Sequence, residues 1–138
     1  MRALILLLLI PSCWCILGVG RKQSVGVTGI LTCDGKPAKG VKVKLYEKEK
    51  LFDRLLAKGR TDENGLFKLS GTAKEITKID PQVNVYHKCN YRGICYKKLR
   101  IGIPSKAIVK GKKVDKYYDL GKWELSAKLK GVKIDCIN

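Results

Sequence analysis

Beyond residue 20, apolar side chains recur at every second position, and the alternation is broken at short intervals by Gly, Asp, Asn and Pro. Successive side chains of a strand point to opposite faces, so this period predicts strands with one buried and one wet side. Val25, Val27, Gly29, Leu31 and Cys33 share one face of a first strand, which the turn Asp34-Gly35-Lys36-Pro37 closes. A second strand turns Val41, Val43 and Leu45 inward and Lys42, Lys44 and Tyr46 outward. A lysine-rich connection at 47–50 leads to a third strand around 55–60. Asp62-Glu63-Asn64-Gly65 predicts a turn in which Gly65 or Asn64 takes positive φ, ahead of a strand carrying Leu66, Phe67 and Leu69. Thr72 and Glu75 have capping-box spacing, which predicts a single helical turn over 72–75.

Residues 81–89 and 95–103 form the next pair, joined by a hairpin loop at 90–94. Val83, Val85 and His87 alternate with Asn84, Tyr86 and Lys88; on the return, Leu99, Ile101 and Ile103 oppose Tyr96, Lys98 and Arg100. Pro104 stops this strand, 107–109 predicts a short one, and a last long strand over 122–130 sets Trp123, Leu125, Ala127 and Leu129 inward. Seven or so short strands predict an all-β fold, a two-sheet antiparallel β-sandwich.

Residues 1–20 change how the rest is read. Arg2 precedes an apolar run from Ala3 to Ile10, Pro11 breaks it, and Gly18 and Gly20 are spaced like a signal peptidase site. The run is too short for a spanning helix, so the expectation is a secretory signal at 1–20 and one domain at 21–138. The protein is then expected outside the cell. Export removes Cys13 and Cys15 and leaves Cys33, Cys89, Cys95 and Cys136, which in an oxidising compartment predicts two disulfides. Their pairing stays open, because Cys89 with Cys95 across the hairpin and Cys33 with either are all plausible. Spacings of 56, 6 and 41 positions contain no Cys-x-x-Cys, and with a single histidine a zinc site is not expected. The acidic turn at 62–65 lacks the order of a calcium loop and reads as a solvated hairpin turn.

The whole chain carries a net charge of +17; without Arg2 it is 28 − 12 = +16. Export makes nucleic acid a poor partner for such a charge. Anionic lipid headgroups, sulfated glycans or a cell-surface protein fit better, through peripheral contact without a transmembrane segment. If the second strand joins the 81–89 and 95–103 strands in one sheet, its outer face collects Lys42, Lys44, Tyr46, Tyr86, Lys88, Tyr96, Lys98 and Arg100 as a candidate anion-binding surface. A second cluster, Lys106, Lys110, Lys112, Lys113 and Lys116, reads as a solvated loop or a glycan site. No catalytic constellation emerges. His87 points inward as a structural histidine, no Gly-x-Ser-x-Gly elbow or phosphate loop occurs, and no cofactor is expected.

Several of these motifs, taken in order, resemble one family. Leu31-Thr32-Cys33-Asp34-Gly35-Lys36-Pro37-Ala38, Val41 to Tyr46, Thr61-Asp62 with Gly65 and Phe67, Ile79-Asp80-Pro81, Val85-Tyr86-His87-Lys88-Cys89-Asn90, Ile101-Gly102-Ile103-Pro104, Asp119-Leu120-Gly121 and Asp135-Cys136 are similar to the nematode transthyretin-like proteins. The resemblance implies a secreted, transthyretin-like (prealbumin-like) sandwich in which the four cysteines are structural. It implies no single activity: members are extracellular or cell-surface associated, and some resemble bridging factors that bind phosphatidylserine on dying cells. Lys88 departs from the pattern, which commonly has an acidic residue there. The wider fold suggests a carrier of a small apolar ligand as an alternative. It also includes hydroxyisourate hydrolases, but those have several histidines and a C-terminal Tyr-Arg-Gly-Ser, whereas here Tyr91-Arg92-Gly93 lies in the hairpin loop.

Overall fold

The computed structural model describes residues 20–138, so the expected secretory signal lies, but for Gly20, outside the described residues. The strands are Arg21–Cys33 (β1), Lys36–Pro37 (β2), Lys42–Glu47 (β3), Arg54–Arg60 (β4), Leu66–Glu75 (β5), Pro81–His87 (β6), Tyr96–Gly102 (β7), Val109–Lys110 (β8), Tyr118–Glu124 (β9) and Lys133–Asp135 (β10). Seven of them have six or more residues, as the alternation implies.

They form two facing sheets. In the first, the long β1 pairs along one side with β5 and along the other with β2, β8 and β9; the β1–β9 pair is parallel, the one exception to the expected antiparallel order. The second runs β10-β7-β6-β3-β4, antiparallel throughout. Between them Val25, Val27 and Leu31 of β1 and Phe67 and Leu69 of β5 face Val43, Leu45, Val83, Val85, Leu99 and Ile101, all buried. Full burial of such a side chain contributes about 1.5–3 kcal/mol, so this interior supplies most of the driving force for folding.

Two glycines are required by close approach. Gly65 has φ +76°, and a Cβ there would stand 2.3 Å from the Leu31 carbonyl oxygen. The Asp62 carboxylate accepts the Asn64 and Leu66 amides at 2.8 and 3.0 Å, so the acid is engaged by backbone; the turn is not the expected hairpin but carries the chain from β4 in one sheet to β5 in the other. At Gly71, a Cβ would sit 2.6 Å from that of Leu56, which lets the edges of β4 and β5 meet.

Three further expectations need correction. Residues 72–75 are not a helical turn but the end of β5, paired with Arg21 to Ser24. A capping box satisfies two backbone donors, whereas pairing with the long β1 satisfies the whole segment. The strand expected over 122–130 ends at Glu124. There the glutamate carboxylate accepts the Ser126 amide and hydroxyl at 2.9 and 2.6 Å, turning the chain and leaving Ala127 exposed. Residues 105–107 form one 3-10 turn, and the short strand follows at Val109.

The disulfides are Cys33–Cys89, joining the two sheets with Cα atoms 5.8 Å apart, and Cys95–Cys136, tying the start of β7 to the chain end at 4.4 Å. The hairpin pairing of Cys89 with Cys95 is thereby excluded. Closing separations of 56 and 41 residues stabilises the fold by about 4 kcal/mol for each bond in the chain-entropy account. Among the described residues, no helix is long and apolar enough to cross a membrane.

Candidate anion-binding surface

Register decides which outward side chains meet. Lys42 of β3 stands opposite Tyr86 of β6 and Arg60 of β4; Tyr86 in turn opposes Lys98 of β7, and Lys98 opposes Lys133 of β10. Directly paired residues share a face, so Arg60, Lys42, Tyr86, Lys98 and Lys133 form one row across all five strands, about 19 Å wide at the usual strand spacing. The next row is Lys58, Lys44, Asn84 and Arg100. Seven cations therefore crowd one sheet face.

Of the eight residues expected on this surface, Lys42, Lys44, Tyr46, Tyr86, Lys98 and Arg100 lie together in the sheet. Lys88 and Tyr96 sit at one end, with the Lys88 ammonium 4.7 Å from the Tyr96 ring centroid. Around them and Lys42, Arg60 and Tyr86 is a cavity of about 250 Å³. Lys44, Tyr46, Tyr86 and Lys98 line a second, of about 310 Å³, together with Asp53, Asp135 and Asn138. Arg100 lines neither of these cavities and is exposed.

Tyr86 is outward in register but not exposed: only 5% of it is accessible. Its strand is central, so the long side chains of β3 and β7 fold over it, and the Lys44 ammonium lies 5.2 Å from its ring centroid. Burial pushes its hydroxyl pKa up to about 12, so it stays neutral, and its oxygen accepts from the Asn84 side-chain amide at 3.5 Å. At the rim, Lys42 Nζ donates to Asn138 Oδ1 at 3.0 Å, so the C-terminal segment that Cys136 anchors lies over the edge of the face.

Lys58, Arg60 and Lys133 escaped the sequence reading. Lys58 and Arg60 alternate on their strand, a legible signal, but only the β3–β4 register puts them beside Lys44 and Lys42. Also unforeseen is the tip of the β3–β4 loop, where Leu51 and Phe52 are 92% and 63% exposed between Lys50 and Asp53.

His87 is buried on the inner face. Its Nδ1 accepts the Cys89 amide at 3.1 Å, which leaves the proton of the neutral ring on Nε2, and burial, aided by the Lys97 charge, pushes its pKa down to about 4. It is packed and neutral at pH 7. The second lysine cluster belongs to the other sheet: Lys110 pairs with Gln23 of β1, and Lys112 faces Lys22, whose pKa it lowers. A third cavity, about 290 Å³, opens there beside Gln23, Ile76 and Ile108. All three are at or below the lower limit of ordinary small-molecule sites.

The family model of transthyretin-like proteins matches residues 28–104. Transthyretin-like protein 5 of Caenorhabditis elegans is 44% identical over 100% of both chains. The chain belongs to the transthyretin-like family. Transthyretin-like protein 2 of the same worm is 41% identical over 87% of this chain and 86% of its own, and transthyretin-like protein 1 is 38% identical over 80% and 76%. Among solved structures, the 9R-lipoxygenase from Cyanothece PCC8801 aligns with 75% of this chain and 16% of its own at 18% identity and a TM-score of 0.42, too loosely to bear on any residue. In this transthyretin-like chain the matched span runs from β1 past the end of β7. It therefore holds β3, β4, β6 and β7 and six of the seven cations, while Lys133 lies beyond it.

Proposed function

We propose that this transthyretin-like protein is a secreted, non-enzymatic binding module that docks the outer face of its β10-β7-β6-β3-β4 sheet on anionic surfaces, foremost membranes containing phosphatidylserine. The observation that carries the reading is the pair of cation rows. Lys42 directly opposes Arg60 and Lys44 directly opposes Lys58, and like charges opposed across strands destabilise a sheet. A face arranged only for solubility would intersperse acids, whereas neither row contains one; Asp53 and Asp135 line the cavity beside Lys44 and Lys98. Each cation near an anionic bilayer contributes about 1 kcal/mol, and the tyrosines suit the polar interface.

Vesicle flotation tests it. Lys58→Gln, Arg60→Gln and Lys133→Gln alter exposed side chains, and the triple variant should bind phosphatidylserine vesicles about 100-fold more weakly, since ~3 kcal/mol is removed. The control, Lys112→Gln, Lys113→Gln and Lys116→Gln, removes the same charge away from this sheet and should lose far less. Equal losses in the two would assign binding to net charge and sink the face-specific reading, as would binding indifferent to phosphatidylserine content.

A further inference from the structure

At the edge where the sheets meet, three acids converge from separate segments. Glu47 ends β3 with its side chain toward the interior, Glu49 follows in the loop, and Glu75 ends β5 of the facing sheet. One carboxylate oxygen from each lies within 4.8 Å of the others. Arg54, the first residue of β4, reaches in among them, 3.3 Å from Glu49 and 3.3 Å from Glu75, but only 4.0 Å from Glu47. The Glu47 side chain is 4% exposed, and its Oε2, the atom nearest the guanidinium, has no hydrogen-bond partner. A buried carboxylate oxygen without a partner is costly, so a nearer positive charge than Arg54 supplies would stabilise this one.

We infer that Glu47, Glu49 and Glu75 form a calcium site that Arg54 partly shields. Three atoms no more than 4.8 Å apart have a common point within about 2.8 Å of each (4.8 Å divided by √3), close to the 2.3–2.6 Å of calcium–oxygen bonds. Magnesium, at 2.0–2.1 Å and rigidly octahedral, would demand a much tighter contraction. A hard divalent cation takes carboxylate oxygens, and with all three ionised the acids outnumber the one arginine by two charges. Arg54 is 45% exposed on a flexible stem, so its guanidinium can swing to solvent as the ion enters. Its competition places the affinity in the weak range of extracellular calcium modules, about 10⁻⁴–10⁻³ M. The bound ion would link β3, the β3–β4 loop and β5, and so hold the loop that carries Leu51 and Phe52.

Thermal unfolding and calorimetric titration of the purified protein with calcium chloride, magnesium chloride in parallel, test the site. In 10 mM calcium the melting temperature should rise by about 5 °C or more, and magnesium should give less than half of that. Glu47→Gln keeps the shape and removes a ligand charge, and should abolish the shift. Arg54→Gln should tighten calcium binding about tenfold; were Arg54 merely a structural ion-pair partner, the same variant would lose stability and gain no calcium affinity. The inference is overturned if neither the parent protein nor Arg54→Gln responds to 10 mM calcium, if Glu47→Gln keeps the full shift, or if magnesium acts equally.

Discussion

His87 and Glu124 set two acid limits on the fold in separate windows. The folded pKa of His87 lies near 4 against 6.5 for the free side chain, first because burial disfavours the charged ring and then because Lys97 repels it. Above pH 6.5 both states are neutral and nothing is lost. As pH falls from 6.5 to 4 the unfolded chain takes a proton that the folded chain refuses, and stability drops by about 3 kcal/mol. Glu124 has its pKa pulled down to about 2 by the Ser126 hydroxyl and amide, then the Gly35 amide. Its stabilisation is complete above the ordinary 4.5 and is lost as pH falls from there to about 2. Urea midpoints from pH 7.5 to 2 should therefore show two declines: His87→Asn, which keeps an acceptor for the Cys89 amide, flattens only the upper, and Glu124→Gln only the lower. A single decline unaffected by either variant would refute the assignment. The inward place of His87 was readable from its alternation with Val83 and Val85. Glu124 was not, because its partner amides at Asp34 and Gly35 are 90 and 89 residues away.

For elements, legibility divides along the same line between local and non-local. Periodicity located six of the seven long strands, since each buries one face regardless of its neighbours, and set the last, β9, several residues too late. It misread 72–75 because a capping box is a local signal and the β1–β5 ladder is not. It missed Lys58, Arg60 and Lys133 because alternation gives a residue's face but not its cross-strand partner; likewise, cysteine spacing alone left three pairings open. That register has an energetic signature. Reversing one charge in the Lys44–Lys58 pair turns a repulsion into an attraction, so Lys58→Glu should raise the unfolding free energy by about 0.5 kcal/mol. It also takes two units of charge from the face, and affinity for phosphatidylserine vesicles should fall about 30-fold. Denaturant unfolding and flotation on one preparation read both effects; a variant that loses stability together with binding would show that the pair is not repulsive in the fold.

Over the whole molecule, a net charge of +17 says only that anions are attracted; where they bind depends on how the charge is divided. One sheet carries the ordered rows, the other the Lys22 and Lys112 cluster. The cation face of the β10-β7-β6-β3-β4 sheet borders the β3–β4 loop, whose Asp53 lines its cavity while the exposed Leu51 and Phe52 immediately precede it. Two apolar side chains that exposed, following Lys50, suit insertion below the headgroups while the cation rows lie against them. The two contributions differ physically, and salt separates them. Coulombic attraction is screened over about 10 Å at 0.1 M salt and over about 3 Å at 1 M, whereas burial of an apolar side chain is not screened. Leu51→Ser with Phe52→Ser should weaken vesicle binding about 100-fold, corresponding to ~3 kcal/mol of lost burial, at low and high salt alike. Its log–log salt slope should match that of the parent protein, while Lys58→Gln, Arg60→Gln, Lys133→Gln should reduce the slope. Because both side chains already stand in solvent, the melting temperature should stay unchanged, which separates a membrane wedge from a packing role. An unchanged affinity would confine binding to the cation rows.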